Sequence, residues 1–185
     1  MEYYSLEICN LKRQLPIKAV GRTSSLASFS ILGDVELVEK VADQLVEKLS
    51  DFEFDCLAGP ESKVVPLLHV ISKKLGHPRY VVCRKSIKSY MVSPVVLKPL
   101  PYFPKHVKSL VLDGVDAELI RNKRVVIIDD VVSTGVTMRM MKKIVEQAEG
   151  KVVACAAVIR QGENQFDTID NFIYLATLPI FKPES

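Results

Sequence analysis

The sequence predicts an α/β fold in which a mostly parallel sheet is covered by helices on both faces. Several short runs are apolar at every position, which is typical of strands buried on both faces. These runs alternate with segments whose apolar residues recur at the helical period. With 185 residues, 48% of them hydrophobic and 25% charged, the chain is long enough to form one domain with a sizeable core.

The first half of the chain alternates between predicted helices and strands. A helix is predicted over 34–49, where apolar residues recur three or four positions apart. A short apolar strand follows over 54–58. A second helix over 63–75 stops at Gly76, a residue type that commonly ends helices. The run over 79–83 is the next strand.

A proline-rich segment separates these elements from the second half of the chain. Residues 86–106 contain four prolines and are predicted to form no helix. A long loop without regular structure in a compact domain is usually functional. The remaining predicted elements are a strand over 107–113, a helical turn over 115–120, a strand over 124–129, a helix over 137–149 ended by Gly150, and a strand over 151–159.

The cysteines, net charge and hydropathy argue against several classes of protein. The four cysteines form no CxxC pair and the three histidines have no metal-ligand spacing, so we expect reduced thiols in the core. The net charge of +3 does not call for a nucleic-acid or membrane partner. No apolar stretch reaches about 18 residues, and the first residues show no signal-peptide pattern. We therefore expect a cytoplasmic protein.

The stretch RVVIIDDVVSTGVT, residues 124–137, carries the predicted binding site. A branched apolar run leads into Asp129 and Asp130 at the end of the most strand-like segment of the chain. Ligands of an open parallel sheet bind beyond the carboxyl ends of its strands. These aspartates can accept hydrogen bonds from hydroxyl groups or hold a divalent cation. The alternative is that they only cap the helix that follows.

The turn after the aspartates predicts an anion cradle. It leads into a helix whose first backbone N–H groups are unpaired and carry positive partial charge. Ser133, Thr134 and Thr137 add hydroxyl donors, and Gly135 lets a ligand approach the backbone. Such a cradle suits a phosphate. A phosphate beside groups that bind hydroxyls indicates a sugar phosphate as the ligand.

The same stretch resembles the phosphoribosyl pyrophosphate signature of type I phosphoribosyltransferases: a hydrophobic run, two acids, two apolar residues, a small residue, then Thr-Gly-x-Thr. Residues 58–68, AGPESKVVPLL, are similar to the Gly-Pro-Glu-Ser-Arg-Gly pyrophosphate loop of adenine phosphoribosyltransferases. Residues 81–88, VVCRKSIK, resemble that family's Arg-Lys segment after the next strand. Altogether the likeness covers roughly residues 55 to 160.

The resemblance implies the type I phosphoribosyltransferase fold, a mostly parallel sheet flanked by helices with a small hood from the N- and C-terminal segments. We expect a single domain over 1–185, with the hood formed by about 1–33 and 160–185 and the core by about 34–159. Its substrates would be phosphoribosyl pyrophosphate and a purine base. Mg²⁺ would bridge pyrophosphate and ribose oxygens, with no direct protein ligand assigned. We also expect a homodimer without a membrane or nucleic-acid partner.

Each residue that matches a family motif acquires an implied role. Asp129 and Asp130 would bind the ribose hydroxyls. The 5′-phosphate would be held by Ser133, Thr134, Gly135, Val136 and Thr137. The pyrophosphate would lie against Glu61, Ser62 and Lys63, often on a non-proline cis peptide in this family, with positive charge from Arg84, Lys85 and Lys88. A mobile catalytic loop over 86–108 would bring Ser89 and Tyr90 over the substrate, and the base would contact Phe29, Val131 and Val132.

Some assignments have open alternatives. Tyr90 and Phe29 could equally be packing residues, and Lys85 and Lys88 could be solvated surface charges. Val64 and Val136 stand where the family often has glycine. Because valine rarely takes a positive φ, we expect either ordinary backbone angles there or an altered loop.

The implied function is that of a purine phosphoribosyltransferase. Adenine is favoured because Ser133 stands where many 6-oxopurine enzymes carry an acid. The alternatives are an enzyme that uses hypoxanthine or xanthine, a catalytically weak regulator that senses phosphoribosyl pyrophosphate or a purine, and a nucleic-acid-binding phosphoribosyltransferase.

Overall fold

The computed structural model describes residues 2–21, 24–99, 103, 107–162 and 171–181. Its helices are α1 (Val35–Leu49), α2 (Val65–Leu75), α3 (Gly114–Ile120) and α4 (Val136–Gln147). Its strands are β1 (Tyr3–Ile8), β2 (Leu11–Val20), β3 (Ser24–Ala27), β4 (Cys56–Pro60), β5 (Val81–Cys83), β6 (Val95–Leu97), β7 (Leu110–Leu112), β8 (Arg124–Val132), β9 (Lys151–Gln161), β10 (Phe172–Leu178) and β11 (Ile180–Phe181).

A five-stranded parallel sheet with the strand order β10-β9-β8-β4-β5 forms the centre of the structure. Alternate residues of β8 belong to different cores: Val126 and Ile128 pack with α1 and α2, whereas Val125 and Ile127 pack with α3 and α4. Because helices cover both faces, this strand is apolar at successive positions. The predicted α/β fold is therefore confirmed.

The helix boundaries follow local signals in the sequence. Asp34 caps α1, since its carboxylate accepts a hydrogen bond from the Leu37 N–H at 3.1 Å. Gly76 ends α2 in the left-handed conformation at φ 71°. Helix α4 ends at Gln147, two residues before the predicted end, and Glu149 takes a positive φ of 60°. Gly150 therefore lies outside the helix terminus that it was expected to form.

The hood is an antiparallel sheet with the strand order β1-β2-β3-β11, which combines N-terminal strands with β11. The expected assignment of all of 160–185 to the hood is wrong, because β10 pairs with β9 and belongs to the central parallel sheet. Two polar contacts fix the hood to the core. Arg13 Nε lies 2.6 Å from Asp34 Oδ2, and this hydrogen bond lowers the pKa of the Asp34 carboxyl. The buried side chain of Gln161, at the end of β9, donates from Nε2 to the Ala27 carbonyl at 3.2 Å.

The proline-rich segment has more structure than the sequence indicated. Its strand β6 pairs with β7 in antiparallel register. The Val92 N–H donates to Asp113 Oδ1 at 3.1 Å, and the Gly114 N–H donates to the Val92 carbonyl at 3.0 Å. These contacts fix the described part of the segment to the start of α3. Residues 100–102 and 104–106 of the predicted loop lie outside the described residues.

The cysteines behave as core residues. None of the four, which all lie in the described residues, forms a disulfide, and Cys56, Cys83 and Cys155 are buried. Burial raises the pKa of Cys56 to about 11 and that of Cys83 to about 12, which keeps both thiols protonated at neutral pH. Among the described helices, none combines the length and apolarity that a membrane crossing requires.

Gly59 of β4 lies close against the backbone of β8. A Cβ atom on this residue would lie 2.6 Å from the Ile128 carbonyl oxygen and 2.9 Å from side-chain atoms of Leu68 and Val64. We therefore expect Gly59→Ala to lower the free energy of unfolding by about 1–3 kcal/mol, as overpacking does. Urea denaturation measures the change.

Gly76→Ala is the control, because no atom lies within 4 Å of the added methyl group. Its cost of about 1 kcal/mol reflects the left-handed backbone alone. A Gly59→Ala variant as stable as the unmodified chain would contradict the close approach of β4 and β8.

Candidate functional site

Two adjoining clefts lie at the carboxyl ends of β4 and β8. The larger cleft has a volume of about 350 Å³ and is lined by Pro60, Glu61, Ser62, Lys63, Lys85, Asp129, Asp130, Val131 and Thr137. The smaller cleft, of about 130 Å³, is lined by Asp129, Val131, Val132, Ser133, Thr134, Gly135, Val136, Thr137 and Met138. Asp129, Val131 and Thr137 border both. One extended ligand could therefore occupy the two clefts together.

The two aspartates between the clefts are nearly buried, at 8% exposure for Asp129 and 7% for Asp130. Burial, and then repulsion from Asp130, raise the pKa of Asp129 well above its usual value. The Asp130 N–H donates to Asp129 Oδ1 at 2.8 Å. In the part of the chain that the structure describes, no group donates a hydrogen bond to the buried Asp130 Oδ2. A buried acceptor without a donor is unfavourable, so this oxygen is suited to a ligand hydroxyl.

The turn from 133 to 135 forms the wall of the smaller cleft. Gly135 takes a positive φ of 70° and begins α4 without a side-chain cap. Val136 has helical geometry, as expected for a valine at this position. The Val136 N–H makes a long contact of 3.5 Å with Thr134 Oγ1. The start of α4 still presents N–H groups with positive partial charge beside the cleft, together with the exposed Thr134 and Thr137. This cleft has the donors and partial charge that an anion requires.

The larger cleft has cationic side chains on the side formed by β4 and β5. Lys63 Nζ lies 3.8 Å from Asp130 Oδ2, and Lys85 follows β5 by two residues. The Glu61–Ser62 peptide bond is cis. Val64 has ordinary helical angles, φ −80° and ψ −12°, as predicted from its side chain. These ammonium groups would attract an anion in the larger cleft.

Three residues of the predicted loop lie outside both clefts. Lys88 Nζ donates to Ser86 Oγ at 2.8 Å, and Ser89 lines neither cleft. Tyr90 is 62% exposed and borders a separate cavity of about 280 Å³ beside Arg79 and Asp116. The structure thus does not bring Ser89 and Tyr90 to the aspartates, because the contacts of Val92 hold this segment against α3.

The predicted base contacts are only partly brought together. Val131 borders both clefts and Val132 borders the smaller one, although Val132 is mostly buried in the core. Phe29 is buried in the core formed by the hood, α1 and α2, and it lines neither cleft. The structure thus supports core packing for Phe29. Residues 22–23 and 163–170 of the predicted hood lie outside the described residues.

Arg139 is a neighbour of the site that the sequence interpretation missed. Its guanidinium Nη2 donates to the Thr134 carbonyl at 3.1 Å and so braces the turn of the smaller cleft. A basic residue in the first turn opposes the usual charge preference of a helix N-terminus. This unusual placement of a basic residue is the feature of the sequence that could have identified Arg139.

The side chains of the site offer a metal ion few ligands. Among the described residues, no group of three or more His, Cys, Asp or Glu side chains is placed to hold a metal. Asp129 and Asp130 supply hard oxygen atoms of the kind that Mg²⁺ prefers. They fit Mg²⁺ only if oxygen atoms of a ligand complete the coordination.

Comparisons with known proteins agree with this geometry. The sequence model of the phosphoribosyl transferase domain matches residues 30–179. The adenine phosphoribosyltransferase of Thermosipho africanus is 32% identical over 129 residues, which span 70% of this chain and 72% of that protein. The hypoxanthine/guanine phosphoribosyltransferase of Methanosarcina acetivorans is 27% identical over 133 residues, spanning 72% and 66%.

A solved structure shows the same fold. The crystal structure of adenine phosphoribosyltransferase from Thermoanaerobacter pseudethanolicus superposes with a TM-score of 0.64. The superposition covers 80% of this chain and 83% of that one at 22% sequence identity. At this identity the likeness concerns the fold alone.

The raised pKa of Asp129 predicts a pH dependence of stability. Between the pKa of an unfolded aspartate, about 3.9, and the raised folded-state value, the folded chain binds the extra proton, so stability falls as pH rises through this window. We therefore expect Asp129→Asn to be more stable than the unmodified chain at neutral pH. The advantage should disappear below the unfolded-state pKa. Denaturation midpoints measured across pH report the difference.

Asp34→Asn is the control with the opposite sign. Because the pKa of Asp34 is lowered in the folded chain, its carboxylate adds stability above the unfolded-state pKa. That stability is lost as pH falls through the folded-state pKa. Asp34→Asn should therefore be destabilised at neutral pH, and the same pH profile for both variants would contradict the assigned environments.

Proposed function

The chain belongs to the phosphoribosyltransferase family, and on this premise we propose that it transfers the 5-phosphoribosyl group from phosphoribosyl pyrophosphate to a purine base, releasing pyrophosphate. The observation that carries this proposal is the pair of adjoining clefts, one suited to a phosphate and one lined by ammonium groups, with two buried aspartates between them. The substrate has the same order of parts: a 5′-phosphate, a ribose with two free hydroxyls, and a pyrophosphate.

The smaller cleft would hold the 5′-phosphate through the N–H groups at the start of α4 and the hydroxyls of Ser133, Thr134 and Thr137. Asp129 and Asp130 would accept hydrogen bonds from the ribose hydroxyls. Asp130 Oδ2 supports this role, since it accepts no hydrogen bond from the described residues and has only the Lys63 ammonium group at 3.8 Å. The pyrophosphate would lie in the larger cleft beside Ser62, Lys63 and Lys85.

These residues suit the chemistry of the transfer. Departure of pyrophosphate develops positive charge on the ribose and negative charge on the leaving group. Lys63 and Lys85 would stabilise the leaving group, and the aspartates would orient the ribose beside it. Asp129 and Asp130 would lie beside any Mg²⁺ that accompanies the substrate, and the ion would supply positive charge that offsets the charge of the pyrophosphate.

A closing loop would keep water from the reacting carbon. We assign this role to 86–108, which includes Ser89 and Tyr90. The described part is held to α3 by the two hydrogen bonds of Val92. Closure would therefore exchange these bonds for contacts with the ligand.

Adenine is the favoured base. The relative from Thermosipho africanus is named an adenine phosphoribosyltransferase, and Ser133 leaves the turn without the acid that many 6-oxopurine enzymes carry. A second candidate is a 6-oxopurine enzyme, favoured by the likeness to the hypoxanthine/guanine phosphoribosyltransferase of Methanosarcina acetivorans.

Further proposals concern the organisation of the protein. The hood and core would form one domain over 1–185. Buried cysteines that form no disulfide are consistent with a cytoplasmic location, where thiols stay reduced. The family resemblance also leads us to propose a homodimer.

Replacement of Asp130 tests the ribose site. A hydrogen bond to a charged group contributes roughly 1.5–3 kcal/mol, so Asp130→Asn should weaken use of phosphoribosyl pyrophosphate by about 10- to 100-fold. The variant should remain folded. Pyrophosphate release with Mg²⁺ and adenine measures the loss. Asp43→Asn, on the exposed face of α1, is the control, and unchanged kinetics in Asp130→Asn would remove the aspartates from the site.

A panel of bases tests the substrate. A pocket that hydrogen-bonds the amino group of adenine leaves buried groups unpaired when an oxo group replaces it. Adenine should therefore have a higher kcat/KM than hypoxanthine, guanine and xanthine. A 6-oxopurine used as well as adenine would favour the second candidate and leave the ribose-phosphate assignment standing.

A further inference from the structure

We infer that Glu61 is a positioning residue, which holds Lys85 in place for the pyrophosphate and does not itself contact it. This inference rests on the proposed function. Glu61 directly follows β4 and borders the larger cleft, and its side chain is 18% exposed. The family resemblance placed this residue against the pyrophosphate, but the contacts of its carboxylate indicate another role.

Both carboxylate oxygens of Glu61 are engaged by the segment that follows β5. Oε1 accepts a hydrogen bond from the Lys85 backbone N–H at 2.8 Å. Oε2 lies 3.4 Å from Arg84 Nη1. The Glu61 N–H also donates to the Cys83 carbonyl at 2.8 Å, which joins the backbones of the two segments. The carboxylate is therefore turned toward the neighbouring strand end.

The other side of the same segment is held by β7. Arg84 and Val111 exchange two backbone hydrogen bonds of 2.7 Å each. The backbone at Lys85 is thus held on two sides. Strand β7 bonds the preceding residue, Arg84, and the Glu61 carboxylate accepts a hydrogen bond from the Lys85 N–H. Because a lysine side chain is long and flexible, fixing its backbone reduces the entropy lost when its ammonium group meets an anion.

Electrostatics favour this role over direct contact. A carboxylate beside a pyrophosphate repels it, so a negative residue in such a cleft is unfavourable unless its charge is offset. Arg84 and the Lys85 N–H offset the charge of Glu61, and the ammonium groups of Lys63 and Lys85 remain at the cleft. Lys85 also acts on the neighbouring acid, since its charge opposes the rise in the pKa of Asp129 that burial and Asp130 cause.

Glu61→Gln and Glu61→Ala separate the possible roles. Glutamine keeps an oxygen that can accept from the Lys85 N–H, whereas alanine removes both contacts. We expect Glu61→Ala to raise the Kd for inorganic pyrophosphate with Mg²⁺, and the KM for phosphoribosyl pyrophosphate, by about 10-fold, the loss of a net hydrogen bond to a charged group. Glu61→Gln should stay within about 3-fold of the unmodified chain, and kcat should change less than KM in both variants.

A double-mutant cycle with Lys85→Ala shows whether Glu61 acts through Lys85. In the Lys85→Ala background, Glu61→Ala should weaken pyrophosphate binding by less than about 3-fold, because the cation that it positions is absent. Glu53→Ala is the matched control: it removes a carboxylate paired with Arg124 at the opposite ends of β4 and β8. It should leave the Kd and KM unchanged.

Several results would overturn the inference. Tighter pyrophosphate binding by Glu61→Ala would mean that the carboxylate only repels the ligand. Equal losses in Glu61→Gln and Glu61→Ala, with a changed Mg²⁺ requirement, would mean that it contacts the ligand through the metal. Fully additive effects with Lys85→Ala would mean that it acts independently of Lys85. If the unmodified chain binds neither pyrophosphate nor phosphoribosyl pyrophosphate, the proposed function itself fails, a result distinct from these three.

Discussion

The site depends on the parallel pairing of β4 with β8. The parallel register pairs Cys56, Leu57 and Ala58 with Val125, Val126 and Ile127. The two strands therefore end at the same edge of the sheet. The absence of a side chain at Gly59 permits this approach, because the Ile128 carbonyl occupies the space that a Cβ would need. The cis Glu61–Ser62 segment and the two aspartates therefore meet through backbone geometry.

The site also lowers the free energy of unfolding. Most of β8 is apolar and buried, but its end carries two carboxylates with little access to water, and one oxygen lacks a donor among the described residues. Burial of charge without full pairing is costly. The core around Ile127 and Ile128 offsets that cost. Proteins commonly lose stability in this way at a binding site, because the hydrogen-bond acceptors of the site are satisfied only by the ligand.

The sequence predicted those parts of the structure that are governed by local periodicity and backbone chemistry. The buried strands, the cap at Asp34, the stop at Gly76 and the ordinary angles of Val64 all follow from a few neighbouring residues. The sequence also identified the parts of both clefts that the 124–137 stretch forms, because this motif consists of a strand end and the turn that follows it.

The rest depended on contacts between distant parts of the chain. β11 has two residues and pairs with β3, a partnership that no local pattern indicates. Phe29 packs in the core, and the position of Tyr90 is determined by contacts of Val92 with Asp113 and Gly114. Glu61 matched a family motif by position, but only its partners distinguish a ligand contact from a brace for Lys85.

The attachment of the hood has a consequence for the order of folding. Its bond from Gln161 to Ala27 spans 134 positions, and the β3–β11 ladder requires residues 180–181. Contacts of such long range are entropically expensive to close and form slowly. During synthesis, the strand pair β4–β8 can assemble before the hood strands find their last partner. In a nascent chain the sheet edge that carries Asp129 and Asp130 can therefore form before the hood is complete, and truncation near residue 178 would separate these two stages.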